Sequence, residues 1–211
     1  MDEQILTKKE RREARREEKG SEQARQDRKR AARKYFTRSL VLVIIVAAGY
    51  GIYLLSKSSA PQGEDFSRAI PVLEDRNHIA IGAEPAVAYN SNPPTSGQHY
   101  DTPARPGFRE KAIPDGNLIH SLEHGLVWVS YNPRIGNESD KLKKITTPLM
   151  VVTSRIANDT DIALAVWGRL DTFNLEDSTI DDNDLQRISD FVKRYSNKGP
   201  ERIPPGQHGG I

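Results

Sequence analysis

One apolar stretch near the N-terminus constrains this chain more than any other feature. Residues 39–55 read SLVLVIIVAAGYGIYLL and carry no charge. At about 1.5 Å per residue, a helix of this length extends about 26 Å, which is at the short end of what a bilayer requires. Tyr35 and Tyr53 lie near its two ends, where aromatic side chains favour the lipid–water interface. The pattern predicts one transmembrane helix over residues 39–57.

The charges on either side of this stretch predict its orientation. Residues 1–38 hold 14 basic and 8 acidic side chains, whereas the rest of the chain has an acidic excess. Positive residues favour the cytoplasmic side of a membrane and its anionic leaflet. We therefore expect a charged cytoplasmic tail over residues 1–38, a location in the cell membrane, and a C-terminal domain outside the cytoplasm. The acids among the basic residues argue against a nucleic-acid partner.

A cleaved signal peptide is the alternative to an anchor. Residues 58–60 are small enough for cleavage. The charged region in front of the apolar stretch is long for a signal peptide, however, and Pro61 would hinder the peptidase. The uncleaved anchor is the favoured interpretation.

The rest of the chain is long enough for one modest core. We expect a linker over residues 58–70, an extracytoplasmic α+β domain over residues 71–200, and an extended tail over residues 201–211 that is rich in Pro and Gly. The domain's first half, to about Asn117, is dense in Pro, Gly, Asn and Ser, which is typical of loops.

The second half of the domain has more regular patterns. Apolar runs over residues 126–131, 149–153 and 162–167 predict strands. The clearest helix pattern of the domain covers residues 181–195, with Asp181 as the predicted cap and an apolar face. The predicted fold class is α+β: a single N-terminal transmembrane helix, then a small, mainly antiparallel sheet with one long C-terminal helix and a loop-rich first half.

Histidines supply the candidate chemistry of this domain. The chain has no cysteine, which excludes disulfides and thiolate metal sites. His120 and His124 are four residues apart, so a helix would place both imidazoles on one face, able to chelate one metal. With Glu123 they match the inverzincin pattern. Gly125 and a strand-like run follow at once and leave room for barely a turn of helix, which argues against a zinc peptidase.

A second motif, NPPTSGQH, ends at His99. Its prolines stiffen the loop and Gly97 permits an unusual backbone angle, so that His99 is presented at a fixed place. The alternative is a purely structural turn, in which Thr95 and Ser96 bond the local backbone.

The two histidine motifs together carry a family resemblance. NPPTSGQH, then IHSLEHG over residues 119–125, then AVWG over residues 165–168, resemble the bacterial family catalogued as domain of unknown function 3105. The resemblance covers roughly residues 75–200 and implies a polar signature of His78, the loop histidine and the His-Glu-His block. Members are often single-pass anchored or exported. The family has no assigned activity, so the resemblance implies architecture and no reaction.

These residues predict a metal site. His78, His99, His120 and His124, with Glu123 as a further ligand, as an orienting group or as a base, would suit zinc or copper as Cu(II), and less readily iron or nickel. A metal-free network of histidines bonded to loop carbonyls is the alternative.

Three classes of function stay open. The domain binds a metal without catalysis, or it is a metal-dependent hydrolase or oxidase at the same site, or it is a structural or protein-interaction domain. A metal-free hydrolase using Ser96 or Ser121 lacks a recognisable nucleophile motif. Whether the protein is an enzyme, and which protein partners it has, are left open by the sequence.

Overall fold

The computed structural model describes residues 8–201, 203–204, 207 and 209–211, and His208 lies outside them. The first unit is one helix, α1, over Lys8–Ser59. Its apolar side chains are exposed around the helix, for example Ile44 at 58% and Val46 at 63%. In this described part of the chain it is the one helix long and apolar enough to cross a membrane. The predicted apolar helix is therefore present.

Residues 59–211 form a second compact unit that combines short strands with helices. Its strands are β1 (Arg68–Ala69), β2 (His78–Ile79), β3 (His99–Tyr100), β4 (Gly107–Arg109), β5 (Val127–Tyr131), β6 (Met150–Ser154), β7 (Ile162–Val166) and β8 (Arg169–Phe173). Its α-helices are α2 (Asp115–Glu123), α3 (Ser139–Ile145) and α4 (Asp182–Tyr195), and 3₁₀ turns cover Pro133–Glu138 and Glu176–Ser178.

The strands form one large sheet and one small pair. The large sheet has the order β1-β8-β7-β5-β6-β4, and β2 pairs with β3 separately. In the large sheet the pairs β1–β8, β8–β7 and β7–β5 are antiparallel, whereas β6 runs parallel to both β5 and β4. The predicted α+β class with a mainly antiparallel sheet and a long C-terminal helix is confirmed. β1 comes from the segment predicted as a linker.

Helices cover both faces of this sheet. Side chains alternate between the faces of a strand, so Val127 and Val129 of β5 pack with Ile188 and Phe191 of α4. Trp128, between them, packs on the other face in a cluster that includes two leucines of α2. A strand covered on both faces reads as a continuous apolar run, which explains the pattern of residues 126–131.

The helix α4 begins and is oriented as its sequence predicts. The Asp181 carboxylate accepts a hydrogen bond from the Asp184 N–H at 2.8 Å, and the Asp184 carboxylate accepts from the Asp181 N–H, which together form a capping box. The apolar residues of the helix face the sheet.

A buried aspartate on α4 fastens the start of the domain. Asp190 is 1% exposed, and its Oδ2 atom accepts the backbone N–H groups of Gln62 and Gly63 at 3.0 and 2.6 Å. Its Oδ1 atom accepts from Gln186 Nε2 at 2.8 Å. Burial acts to raise the pKa of Asp190, but these hydrogen bonds outweigh it, so the pKa lies below its ordinary value.

Replacing Asp190 with alanine is expected to destabilise the domain by about 2 kcal/mol, because hydrogen bonds to a charged group contribute roughly this much. Asp182→Ala, an exposed site on the same helix, is the matched control and should stay within about 0.5 kcal/mol. Denaturant unfolding is followed by tryptophan fluorescence, since both tryptophans, Trp128 and Trp167, lie in this unit. Equal midpoints for the two variants would contradict the role of Asp190.

The same contact predicts a pH dependence. A carboxyl whose pKa is lower in the folded state than its ordinary 3.8 stabilises the fold above that value. This contribution is lost as the pH falls through the lower folded pKa. The stability difference between the wild type and Asp190→Ala should therefore be constant near neutral pH and should shrink below pH 3.8. A difference that grows in acid would have the wrong sign.

Candidate metal centre

The small strand pair aligns two of the candidate histidines. β2 and β3 are parallel, with His78 opposite His99 in register. Opposite residues of paired strands project to the same face, and the two imidazole rings lie 5.0 Å apart. The loop before β3 is fixed through Ser96, whose hydroxyl accepts the Leu73 N–H at 3.0 Å. Ser96 was a candidate nucleophile from the sequence, and its hydroxyl here holds the backbone of a neighbouring loop.

The helix α2 carries the other part of the site. It spans nine residues, so the expectation of barely a turn of helix before Gly125 was wrong. His120, at its last turn, lies beside Glu123, and His124 forms the C-cap. Gly125 has φ +89°, a left-handed conformation that ends the helix. Ser121, the other candidate nucleophile, lies 2.9–3.0 Å from the backbone N and O atoms of Ala104.

Four side chains converge at one point. The ligand atoms of His78, His99, His120 and Glu123 all lie within 4.8 Å of one another. His99 is fully buried, His120 and Glu123 are each 5% exposed, and His78 is exposed. Three separate segments supply these groups. This group could hold a metal ion, and that these residues are its ligands stays a prediction.

Two carbonyl groups fix which imidazole nitrogens are available. The Nδ1 atom of His99 lies 2.8 Å from the Gly97 carbonyl oxygen, and that of His120 lies 2.7 Å from the Tyr100 carbonyl oxygen. A carbonyl oxygen only accepts hydrogen bonds, so both Nδ1 atoms carry the proton. In the neutral rings, both Nε2 atoms therefore present a lone pair. Metal-binding histidines show this same backing by a carbonyl.

The Nε2 lone pair of His99 faces another acceptor. Glu123 Oε2 lies 2.9 Å away, and the buried Nε2 atom makes no hydrogen bond within the described residues. Two acceptors at this distance repel each other unless a cation or a second proton lies between them. A second proton on the ring would create a charged imidazolium at a fully buried position, which burial disfavours. A proton on Glu123, whose pKa burial raises, would instead make that carboxyl a donor to Nε2.

Burial also shifts the acid–base equilibria of the cluster. Burial is the largest effect on His99 and His120, and it lowers the pKa of each imidazole below its ordinary value. Burial, followed by the charge of Glu201, raises the pKa of Glu123. Burial therefore favours the neutral form of both imidazoles, in which Nε2 carries a lone pair.

His124 lies beside the converging set and not within it. Its Nε2 atom is 3.1 Å from His120 Nε2 and 3.7 Å from Glu201 Oε2. Since His120 offers a lone pair there, His124 is the donor of that hydrogen bond. Its role as a ligand stays a prediction.

A tryptophan in the turn between β7 and β8 contacts the buried histidine. The Trp167 ring lies 6.2 Å from the His99 ring, edge to face. The next residue, Gly168, donates its N–H to the Thr95 carbonyl oxygen at 3.2 Å. The third sequence motif therefore holds the loop that presents His99.

The segment after α4 packs against the end of α2, a contact that was not predicted from the sequence. Asn197 donates its N–H to the Gly125 carbonyl oxygen at 2.6 Å, and Glu201 donates its N–H to the Glu123 carbonyl oxygen at 3.0 Å. This brings the Glu201 carboxylate to the site. An acid in a Pro/Gly-rich tail carries no sequence signal for such a role.

Gly199 permits this close approach, and its replacement is expected to disrupt it. A Cβ atom at this position would lie 2.1 Å from the Glu123 carbonyl oxygen, so Gly199→Ala requires a backbone shift. Overpacking of this kind costs about 1–3 kcal/mol. Gly209→Ala, where a Cβ meets nothing within 4 Å, is the matched control. A drop in the unfolding midpoint only for Gly199→Ala supports the packing, and equal midpoints contradict it.

The converging side chains border an open cleft of about 650 Å³. Its lining residues are Glu74, Asp75, Arg76, Asn77, His78, Glu123 and Glu201. His78 and Glu123 belong both to the converging set and to the lining of the cleft, so solvent reaches the set from this side.

Comparison with known proteins is consistent with the motifs. No curated protein and no solved structure matches the chain. One family model matches residues 81–207, which is more than half of the chain. The match includes His99, His120, Glu123 and His124, whereas His78 lies just before it. The chain therefore belongs to the family described as Protein of unknown function (DUF3105).

Proposed function

We propose that this chain is a single-pass membrane protein whose domain outside the cytoplasm binds one divalent transition-metal ion. The proposed ligands are His78, His99, His120 and Glu123. The ion is zinc or Cu(II), since both accept imidazole and carboxylate ligands. His124 is the remaining candidate ligand, next to His120.

The facing lone pairs of His99 and Glu123 carry this proposal. Their atoms are 2.9 Å apart, buried, and without a hydrogen between them when His99 keeps its proton on Nδ1 and Glu123 is ionised. His120 adds a third lone pair that is backed in the same way. A divalent cation would replace the contact between these two acceptors with a coordinate bond to each.

A metal-free histidine network is less consistent with these contacts. It would require a proton between His99 Nε2 and Glu123. On the ring, this would be a second proton, because Nδ1–H is already donated to the Gly97 carbonyl oxygen, and on the Glu123 carboxyl it would neutralise the charge of that side chain. A fully buried imidazolium costs more than a coordinated neutral ring.

A Co²⁺ titration of the full-length protein in uncharged detergent tests the metal site. The d–d absorption should saturate at about one equivalent, and zinc should displace the cobalt. A signal that never saturates, or one that zinc leaves unchanged, would contradict a specific site.

The membrane part of the proposal has a separate test. α1 supplies the length and apolarity, and the basic excess of residues 1–38 supports a cytoplasmic N-terminus. The chain has no cysteine, so Ser21→Cys and Lys144→Cys each introduce a unique thiol. In intact spheroplasts an impermeant maleimide should label the cysteine at 144, and the one at 21 only after lysis. The reverse pattern would invert the topology.

The cleft favours a second candidate function at the same site, a metal-dependent hydrolase or oxidase. Catalytic metal centres keep one coordination position open to solvent, whereas structural ones are closed. The exposed His78 and the cleft beside it are consistent with an open position. Binding of an exogenous ligand such as azide to the Cu(II)-loaded site would support a catalytic role. If azide does not bind, the site has no open position and metal binding without catalysis is favoured.

A further inference from the structure

The cleft beside the metal centre has a strong charge asymmetry. Glu74, Asp75, Glu123 and Glu201 contribute four carboxylates to its lining, against the single guanidinium of Arg76. Glu74 and Glu201 are exposed, the latter with 63% of its side chain accessible. Clefts lined by one sign of charge focus the field and raise the local concentration of the opposite ion.

The walls of this cleft are fixed in place. The Asp75 carboxylate accepts the Asn77 N–H at 3.0 Å and Gln98 Nε2 at 2.9 Å. The Glu201 backbone is bonded to the Glu123 carbonyl oxygen. The Asp75 carboxylate and the backbone of Glu201 are therefore held in place at the opening.

An independent observation links this opening to a ligand. The buried Nε2 atom of His99 has no hydrogen-bond partner within the described residues and points at Glu123, which lines the cleft. A cation that enters the cleft meets Glu123 and His78 at its inner end. His99 and His120 lie directly behind them.

We infer that this acidic cleft is the route by which the metal centre takes up its ion, as a hydrated divalent cation, with Glu74 and Glu201 steering its approach and Arg76 opposing it. This inference rests on the proposed function and adds that the metal enters as a hydrated ion and not as a chelate. A hydrated divalent cation is attracted by the excess of carboxylates, whereas an anionic metal chelate is repelled.

Stopped-flow binding of Co²⁺ to the full-length protein tests this route. Trp167 lies 6.2 Å from the His99 ring, so its fluorescence is positioned to report a paramagnetic ion at the site. At low salt, Glu74→Gln and Glu201→Gln should each slow association roughly two- to fivefold, and Arg76→Gln should accelerate it by a similar factor. Salt at about 0.5 M should remove these differences by screening. The anionic cobalt–citrate complex should deliver its ion more slowly than the hydrated ion.

Controls separate this inference from the metal site itself. Glu176→Gln removes an exposed acid outside the cleft and should leave the rate unchanged. Absence of any saturable quenching in the wild type would contradict the proposed metal site. If quenching saturates but the charge variants bind at the wild-type rate, the metal site stands and the proposed uptake route through the cleft is wrong. A loss of affinity in Glu201→Gln that persists at high salt would also overturn it, because Glu201 would then act as a ligand.

Discussion

Replacing His99 or His120 with alanine is expected to weaken zinc binding about 100- to 1,000-fold. Structural zinc sites contribute about 10–16 kcal/mol of binding free energy, so each of four ligands accounts for roughly 3 kcal/mol. Competition with a chromophoric chelator measures the affinity of the full-length protein. His99 is fully buried, so tryptophan fluorescence must first establish that its variant is folded.

A graded series makes this prediction specific to the proposed ligands. His78 is exposed, so His78→Ala removes a ligand without opening a cavity in the core, and it should lose affinity to a similar extent. His124→Ala, outside the converging set, should lose about 10- to 100-fold at most. His208→Ala is the control for a general histidine effect. Equal losses in all five histidine variants, or none in His78→Ala, would contradict the assignment.

Replacing Arg187 with alanine is expected to be the most destabilising single change, at about 3–5 kcal/mol. Arg187 of α4 donates two hydrogen bonds to Asp171 of β8, at 2.9 and 2.6 Å. The Asp171 side chain is 3% exposed. The guanidinium also lies 4.3 Å from the ring centroids of both Phe66 and Phe173. Its removal leaves a buried carboxylate without a partner and loses both ring contacts.

An exposed pair of the same chemistry is the control for this second prediction. Arg134 bonds Asp161 at 2.5 Å but has 52% of its side chain exposed, so Arg134→Ala should cost less than about 1 kcal/mol. Arg187→Met combined with Asp171→Leu should recover most of the loss, because the uncompensated charge is gone. Similar unfolding midpoints for Arg187→Ala and Arg134→Ala would contradict the argument.

Elements with local signals were predicted from the sequence. The cap at Asp181 and the apolar face of α4 depend on neighbours three or four residues apart, which are visible in the chain. The same holds for the apolar runs of β5, β6 and β7. These features follow from local hydrogen bonding and periodicity.

The helix α2 was missed because burial hides its periodicity. Every residue from Gly116 to Glu123 is buried, so the helix has no solvent-exposed charged face to mark its turns. Pro114 in front and Gly125 behind are turn signals that fit a loop equally well. The same burial brings His120 and Glu123 into the interior, which the spacing of the motif alone could not indicate.

The convergence of the site depends on contacts between distant segments. The parallel pairing of β2 with β3 aligns His78 with His99 across about twenty residues of chain, and no local pattern encodes a parallel pairing. Glu201 reaches the site because Gly199 passes close to the Glu123 carbonyl oxygen. The types of ligand could be predicted from sequence, whereas the position of His124 beside the set and the presence of Glu201 required the fold.

The most direct test of the metal centre is the metal content of the full-length protein by plasma mass spectrometry, beside a variant carrying His99→Ala and His120→Ala. The account predicts about one equivalent of zinc or copper in the wild type and almost none in a folded variant. The absence of stoichiometric metal in the wild type, even after loading with either ion, would contradict it. The histidine cluster would then be a structural network.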